Sequence, residues 1–364
     1  MKILHFHTGT DSMITQYVTM LADAMKEYAE VYAASTLISF RKQLHKHHPD
    51  IVHIHGCWSF QTAAAAYTAT SKHVRIVFTP HGQLELWVMK QDYWKEKLPK
   101  TLAFQRRVVS WAYAVIAMGR MEENNLKRMK WNTRIETVRN PLVTDSITVA
   151  EAGTLIFAIY QKVMDTNVLQ LMDKTTAGAI RPLIKAGLTG DHLWLSDTEY
   201  NIFRNPEDIS WHKIMVYSAQ ENILETIRRG ISALGINVTD FSPETIPHYL
   251  PDNFIPSHPI SAIDSNDANK RMVAMIEQAR KYASTGRLTI YNMVELTSAL
   301  LRNDINDDKV KEQLSDKSLL KFAGRLMKAA ADMTGLDEGF MPVKAIDDKK
   351  TNKIKSTINK HLEI

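Results

Sequence analysis

The stretch VRIVFTPHGQLELW, residues 74–87, decides the fold. Four of the residues 74–78 are apolar and β-favouring, with Arg75 the exception, which predicts a strand of a largely buried sheet. Thr79-Pro80 stops that strand, because proline cannot donate to a ladder and biases its predecessor to extended geometry. His81 is thereby delivered at the strand's C-terminal end, followed by Gly82, which lets the backbone turn or approach a ligand closely. In open α/β sheets that edge is where ligands bind.

The same pattern repeats on both sides. Strand-like runs at 2–6, 30–34, 50–55, 74–79, 114–118 and 134–138 alternate with helical patterns at 16–27, 39–48, 62–71 and 98–113. Such alternation predicts a parallel sheet covered on both faces by helices, here over residues 1–143. After VRNPL, 138–142, the pattern changes. Asn205-Pro206-Glu207 and Ser242-Pro243-Glu244 read as helix starts, with a capping side chain, proline at the first helical position and an acid in the first turn. Helical periodicity dominates at 150–172, 206–234, 268–283, 292–301 and 307–333, so residues 144–364 are expected to form a mainly α-helical domain. The stretch 240–265 holds five prolines in 26 residues and predicts an irregular connector or an internal boundary. The charged end, 347–364, reads as a terminal helix or a frayed end.

Composition narrows the function class. With 364 residues, 45% hydrophobic and 23% charged, the chain is globular and long enough for two domains. Cys57 is the only cysteine, which excludes an intrachain disulfide framework and suggests a reducing compartment. The N-terminal MKILHFHTGTDSM reads as a first strand and not as a signal peptide, and nowhere do 18 consecutive apolar residues occur, so a cytoplasmic protein is expected. Residues 1–143 carry 19 Lys and Arg against 11 Asp and Glu, a net of +8, leaving 26 against 29, or −3. Much of the excess lies at 90–139. A basic face attracts phosphorylated ligands, anionic membrane or nucleic acid, and nucleic acid is the weakest of the three because no binding motif accompanies the charge. His53 and His55 flank Ile54 and so share one sheet face, but no metal-ligand spacing accompanies them and no metal is expected.

MKILHF, HPDIVHIHG, VFTPHG, AYAVIAMGRMEENNL and IETVRNPL, in this order and spacing, resemble the N-terminal domain of family-4-type retaining glycosyltransferases of the GT-B fold. The resemblance implies a Rossmann-like domain over 1–143 that binds on the acceptor side, with the loop after the first strand approaching a nucleotide-sugar diphosphate. Carried over residue by residue, it puts that loop at residues 7–10, with Gly9 and Thr10 as binding residues, and the catalytic histidine beside the transferred sugar at His81, with Gly82. His53 and His55 would contact the acceptor. The partners implied are a nucleotide sugar and a glycan or lipid-linked acceptor of surface-polysaccharide or glycoconjugate assembly, with no cofactor.

The resemblance stops at 143. The family's second Rossmann-like domain supplies a cationic clamp for the diphosphate and a pair of glutamates seven residues apart. FAGRLMK, 322–328, and the pair Glu199 and Glu207 match these only superficially, the first in a helical run and the second interrupted by Asn205-Pro206. The chain is therefore not expected to be a complete two-Rossmann GT-B protein. Three function classes follow: a glycosyltransferase-like enzyme, a non-catalytic binding or scaffold protein that uses its helical half for protein contacts, and a peripheral membrane adaptor that uses 90–139 with Trp94, Trp111 and Trp131 at the inner membrane face.

Overall fold

The computed structural model describes residues 1–239, 242–250, 254–261, 266–302 and 304–358, so parts of the proline-rich stretch 240–265 and of the charged end lie outside the described residues. Two compact units are present: Met1–Thr166 with Pro247–Tyr249, and Asn167–Ile246 with Leu250–Ile364.

In the first unit six strands, β1 (Lys2–Phe6), β2 (Glu30–Ala34), β3 (Ile51–His55), β4 (Arg75–Thr79), β5 (Ala114–Ala117) and β6 (Ile135–Thr137), form one parallel sheet in the order β2-β1-β3-β4-β5-β6. The expected α/β Rossmann-like sheet is present, with strands close to the expected runs.

Because strand side chains alternate, the two sheet faces build two separate cores. Leu4, Phe6, Val52, Ile54, Ile76 and Phe78 face the helices Leu37–His47, Phe60–Ser71 and Arg106–Trp111. Ile3, Ile51, Val77 and Ile116 pack under Ser12–Ala24 and Val149–Met164 through Tyr17, Leu21, Ile156 and Tyr160.

The helix Val149–Met164 moves the boundary from the expected 143 to 166. Thr148 and Glu151 close a capping box at its start, and a continuous apolar stripe covers the sheet. Arg75, the exception in its strand, is buried and donates to the carbonyl oxygens of Val163 and Thr166 at the helix's end, while its guanidinium lies 4.5 Å from the Tyr113 ring centre. A sequence break after VRNPL marks where strands stop, not where the helix that covers them ends.

The second unit is helical, with no strand among its described residues. Its core is built largely from Lys174–Thr189, Trp211–Gln220, Leu224–Ala233, Ala268–Thr285, Ile290–Leu301 and Leu320–Thr334. Both expected proline-led helix starts are only short 3-10 turns, Pro206–Asp208 and Pro243–Thr245. The long runs expected at 206–234 and 307–333 are each broken, at Asn222 (φ 59°) and Ser318 (φ 55°), where a left-handed residue ends one helix and starts a turn. Helix Lys174–Thr189 was not expected, since its Gly and Thr content and the internal Pro182 hide its periodicity.

Candidate functional site

All strands being parallel, the turn after β1 and the turn after β4 open at the same C-terminal edge. The chain crosses to β2 on one side of β1 and to β3 on the other, so the switch point, where such sheets bind ligands, lies between β1 and β3. Above this edge is an open cleft of about 440 Å³ bordered by Asp11, His81, Gly82, Gly119, Arg139 and Asn140.

His81 stands in the left-handed region at φ 55°, followed by Gly82 at φ 77°. The first value is uncommon for a residue with a side chain and directs the ring at a specific place. Its ring makes a T-shaped contact with Tyr17, ring centres 5.0 Å apart, and its Nε2 lies 2.9 Å from His55 Nδ1. Burial pulls its pKa down to about 4 against the opposing pull of Asp11, so the ring is neutral at physiological pH.

Glu122 fixes the backbone of that turn. The fully buried carboxylate accepts N–H groups from Gly82 at 2.7 Å and Met118 at 3.0 Å, tying the loops after β4 and β5 together. Burial raises its pKa to about 7, partly offset by these donors. The sequence reading did not single out Glu122. Its signal was an acid in the first turn of the helix Arg120–Met129, immediately after a strand.

Gly9 and Thr10 belong to an N-capping turn. Gly9 (φ 70°) donates to His7 Nδ1 at 3.1 Å, and Thr10 Oγ1 lies 2.9 Å from Thr8 Oγ1. Asp11 caps the helix Ser12–Ala24 by accepting from Met13 and Ile14, so its carboxylate takes amide groups that a phosphate would need. On this side the cleft is bordered by Asp11, Met13 and Ile14.

His53 and His55, expected to contact an acceptor, lie beneath the cleft at 0% and 1% exposure. Side-chain alternation turns both towards the Ser12–Ala24 and Val149–Met164 face. His53 Nδ1 lies 2.6 Å from the Tyr160 hydroxyl and Nε2 2.7 Å from Thr79 Oγ1. His55 bridges His81 and His5, whose Nδ1 lies 2.9 Å from His55 Nε2. Nitrogens of His5, His53 and His55 lie within 4.8 Å of one another, a spacing a metal ion could use, but both nitrogens of His53 and both of His55 already have hydrogen-bond partners. His5, also missed by the sequence reading, pairs in register with His53.

The cleft's rim carries charges of both signs. Arg139 is exposed there, donating to Ser146 Oγ at 2.8 Å, beside Asp11 and Glu85. The helix Arg120–Met129 starts at Gly119 with no side-chain cap, so its amide end is open, and carries Glu122 and Glu123 in its first turn.

Residues 22–146 match the family model described as Glycosyltransferase Family 4. The N-terminal part of this chain is glycosyltransferase-like. No curated protein matches the chain, and no solved structure matches it. The matched segment spans β2 through β6 and holds His81, Glu122 and Arg139.

In the second unit, the superficial likenesses to a donor site are occupied in structural roles. Arg325 pairs with Asp348 at 2.7 Å and Lys328 with Asp332 at 2.8 Å, while Glu199 closes a capping box with Ser196.

Between β4 and β5, residues 86–111 form irregular helix with π-helical turns at Tyr93–Lys97 and Thr101–Gln105. Trp94 is 78%, Leu102 73% and Trp87 57% exposed there, among exposed Lys90, Lys95, Arg106 and Arg107. Trp111 and Trp131, grouped with Trp94 in the sequence reading, instead pack against the sheet's core. No helix among the described residues is long and apolar enough to cross a membrane.

Proposed function

We propose that this protein transfers a sugar from a nucleotide-sugar donor, in the assembly of surface polysaccharide or another glycoconjugate, with His81 beside the transferred sugar. The observation that carries the reading is His81, held at a positive φ at the ligand edge of a Glycosyltransferase Family 4 segment. Sugar transfer expels a diphosphate, and its developing charge must be met by preorganised cations or amides. Arg139 and the uncapped helix end at Gly119 support such a role in this cleft. A neutral His81 fits a hydrogen-bond donor or acceptor towards sugar hydroxyls and the leaving oxygen better than a fixed charge.

The exposed Trp87, Trp94 and Leu102 among basic residues support a lipid-linked acceptor, met at the inner face of a membrane by a cytoplasmic protein. A second reading, a non-catalytic binding or scaffold protein, is favoured by the second unit, where the described residues contain no sheet to hold a donor in the family's way. Incubating the protein with labelled UDP- and GDP-sugars and a membrane extract separates the two. Label appearing in extracted glycolipid, and absent with His81→Ala, supports transfer; no transfer from any common donor supports the scaffold.

A further inference from the structure

His5, His55 and His81 form one continuous chain of imidazoles. His5 Nδ1 lies 2.9 Å from His55 Nε2, and His55 Nδ1 lies 2.9 Å from His81 Nε2. The chain begins in the interior, where His5 is 0% exposed, and ends at the cleft that His81 borders. Three neutral rings carry three N–H protons, and the two links consume two of them. The third must sit at an end of the chain, on His5 Nε2 or on His81 Nδ1.

The two ends differ. His5 Nε2 is buried without a hydrogen-bond partner, whereas His81 Nδ1 is not among the buried unpaired atoms. An orphaned buried N–H is the rarer and costlier arrangement, and a bare acceptor is better tolerated. The protons therefore shift towards the cleft: His5 Nδ1–H donates to His55 Nε2, and His55 Nδ1–H donates to His81 Nε2. We propose that His5 and His55 are positioning residues that hold His81 as its Nδ1–H tautomer, presenting a hydrogen-bond donor to the cleft.

The site then meets its ligand with an N–H, suited to a sugar hydroxyl or to the oxygen of a departing phosphate. Neighbouring contacts hold the arrangement. His53, tilted against His55 with ring centres 4.0 Å apart, is fixed separately by Tyr160 and Thr79, and Tyr17 makes T-shaped contacts with both His55 and His81. The role of that donor in sugar transfer rests on the reading of the cleft proposed above; the tautomer does not.

The test is long-range proton–nitrogen correlation NMR on histidine-labelled protein at neutral pH, with no nucleotide present. The expected result is the Nδ1–H signature for His5, His55 and His81. In His55→Leu, with the inward partner removed, His81 is expected to show averaged tautomers. In His5→Asp a carboxylate accepts from His55 Nε2–H, reversing the chain and turning His81 into the Nε2–H form. Wild-type protein with His81 as Nε2–H overturns the proposal, as does a pure Nδ1–H signature persisting in folded His55→Leu. Where transfer is measurable, His55→Leu should lower kcat by roughly tenfold or more with nucleotide-sugar affinity unchanged. The Nδ1–H signature in a protein that transfers no sugar upholds the tautomer and removes only the sugar-transfer reading.

Discussion

Glu122 Oε1 accepts the backbone N–H of Gly82 at 2.7 Å, and through that bond a buried carboxylate sets the turn that aims His81. Its pKa is raised from 4.5 to about 7, mainly by burial. The folded state therefore holds a proton that the unfolded state has released between about pH 4.5 and 7, and Glu122's contribution to stability falls as pH rises through that window. Relative to Glu122→Gln, the wild type should lose on the order of 3 kcal/mol across it. Urea unfolding of both proteins at several pH values measures the difference, and parallel curves would remove the assignment.

The histidines act with the opposite sign. Burial lowers the pKa of His5 to about 3 and of His81 to about 4, so the unfolded chain binds protons first as pH falls below the ordinary histidine value of 6.5. Their contribution is complete above pH 6.5 and is lost on acidification towards those folded-state values. His5→Leu should be less stable at neutral pH, because His55 Nε2 loses its partner, yet should fall less steeply between pH 6.5 and 4. Thermal unfolding against pH reads both effects.

The helix Val149–Met164 completes the first unit's core through Ile156, Tyr160 and Val163. A fragment of residues 1–143 exposes that sheet face and should aggregate, whereas 1–166 should stay soluble and unfold cooperatively. Circular dichroism and sedimentation of the two fragments decide.

In the second unit, the helices Lys174–Thr189 and Leu224–Ala233 meet at two glycines. A Cβ on Gly187 would stand 1.9 Å from the Thr226 carbonyl oxygen, and one on Gly230 would stand 2.1 Å from that of Leu183. Gly187→Ala or Gly230→Ala should therefore destabilise by about 3 kcal/mol or more, since the obstruction is backbone and must shift as a whole. Chemical denaturation monitored by the second unit's helical signal measures this.

The sheet was legible because buried parallel strands carry a dense apolar signal ended by Gly and Pro, and the Thr79-Pro80-His81-Gly82 ending gave the edge where the cleft lies. Less legible were the partners of His81. His55 was seen as a binding residue on the strength of its position, yet side-chain alternation buries it, so its chemistry reaches the cleft only through another ring. Glu122 and His5 act through contacts 40 and 50 residues away in sequence, which no local pattern reveals. The helix breaks at Asn222 and Ser318 were hidden for a related reason: a single left-handed residue leaves the apolar period on either side intact.

Whether the cleft binds a nucleotide sugar is read by thermal unfolding with UDP- and GDP-sugars. A ligand bound only by the folded state raises the unfolding temperature by mass action. Such a rise is expected with at least one donor, diminished in Arg139→Ala because the cation at the rim is gone, and retained in His81→Ala, whose loss falls on transfer instead. An unfolding temperature unmoved by every common nucleotide sugar and by UDP and GDP at millimolar concentration would contradict that expectation.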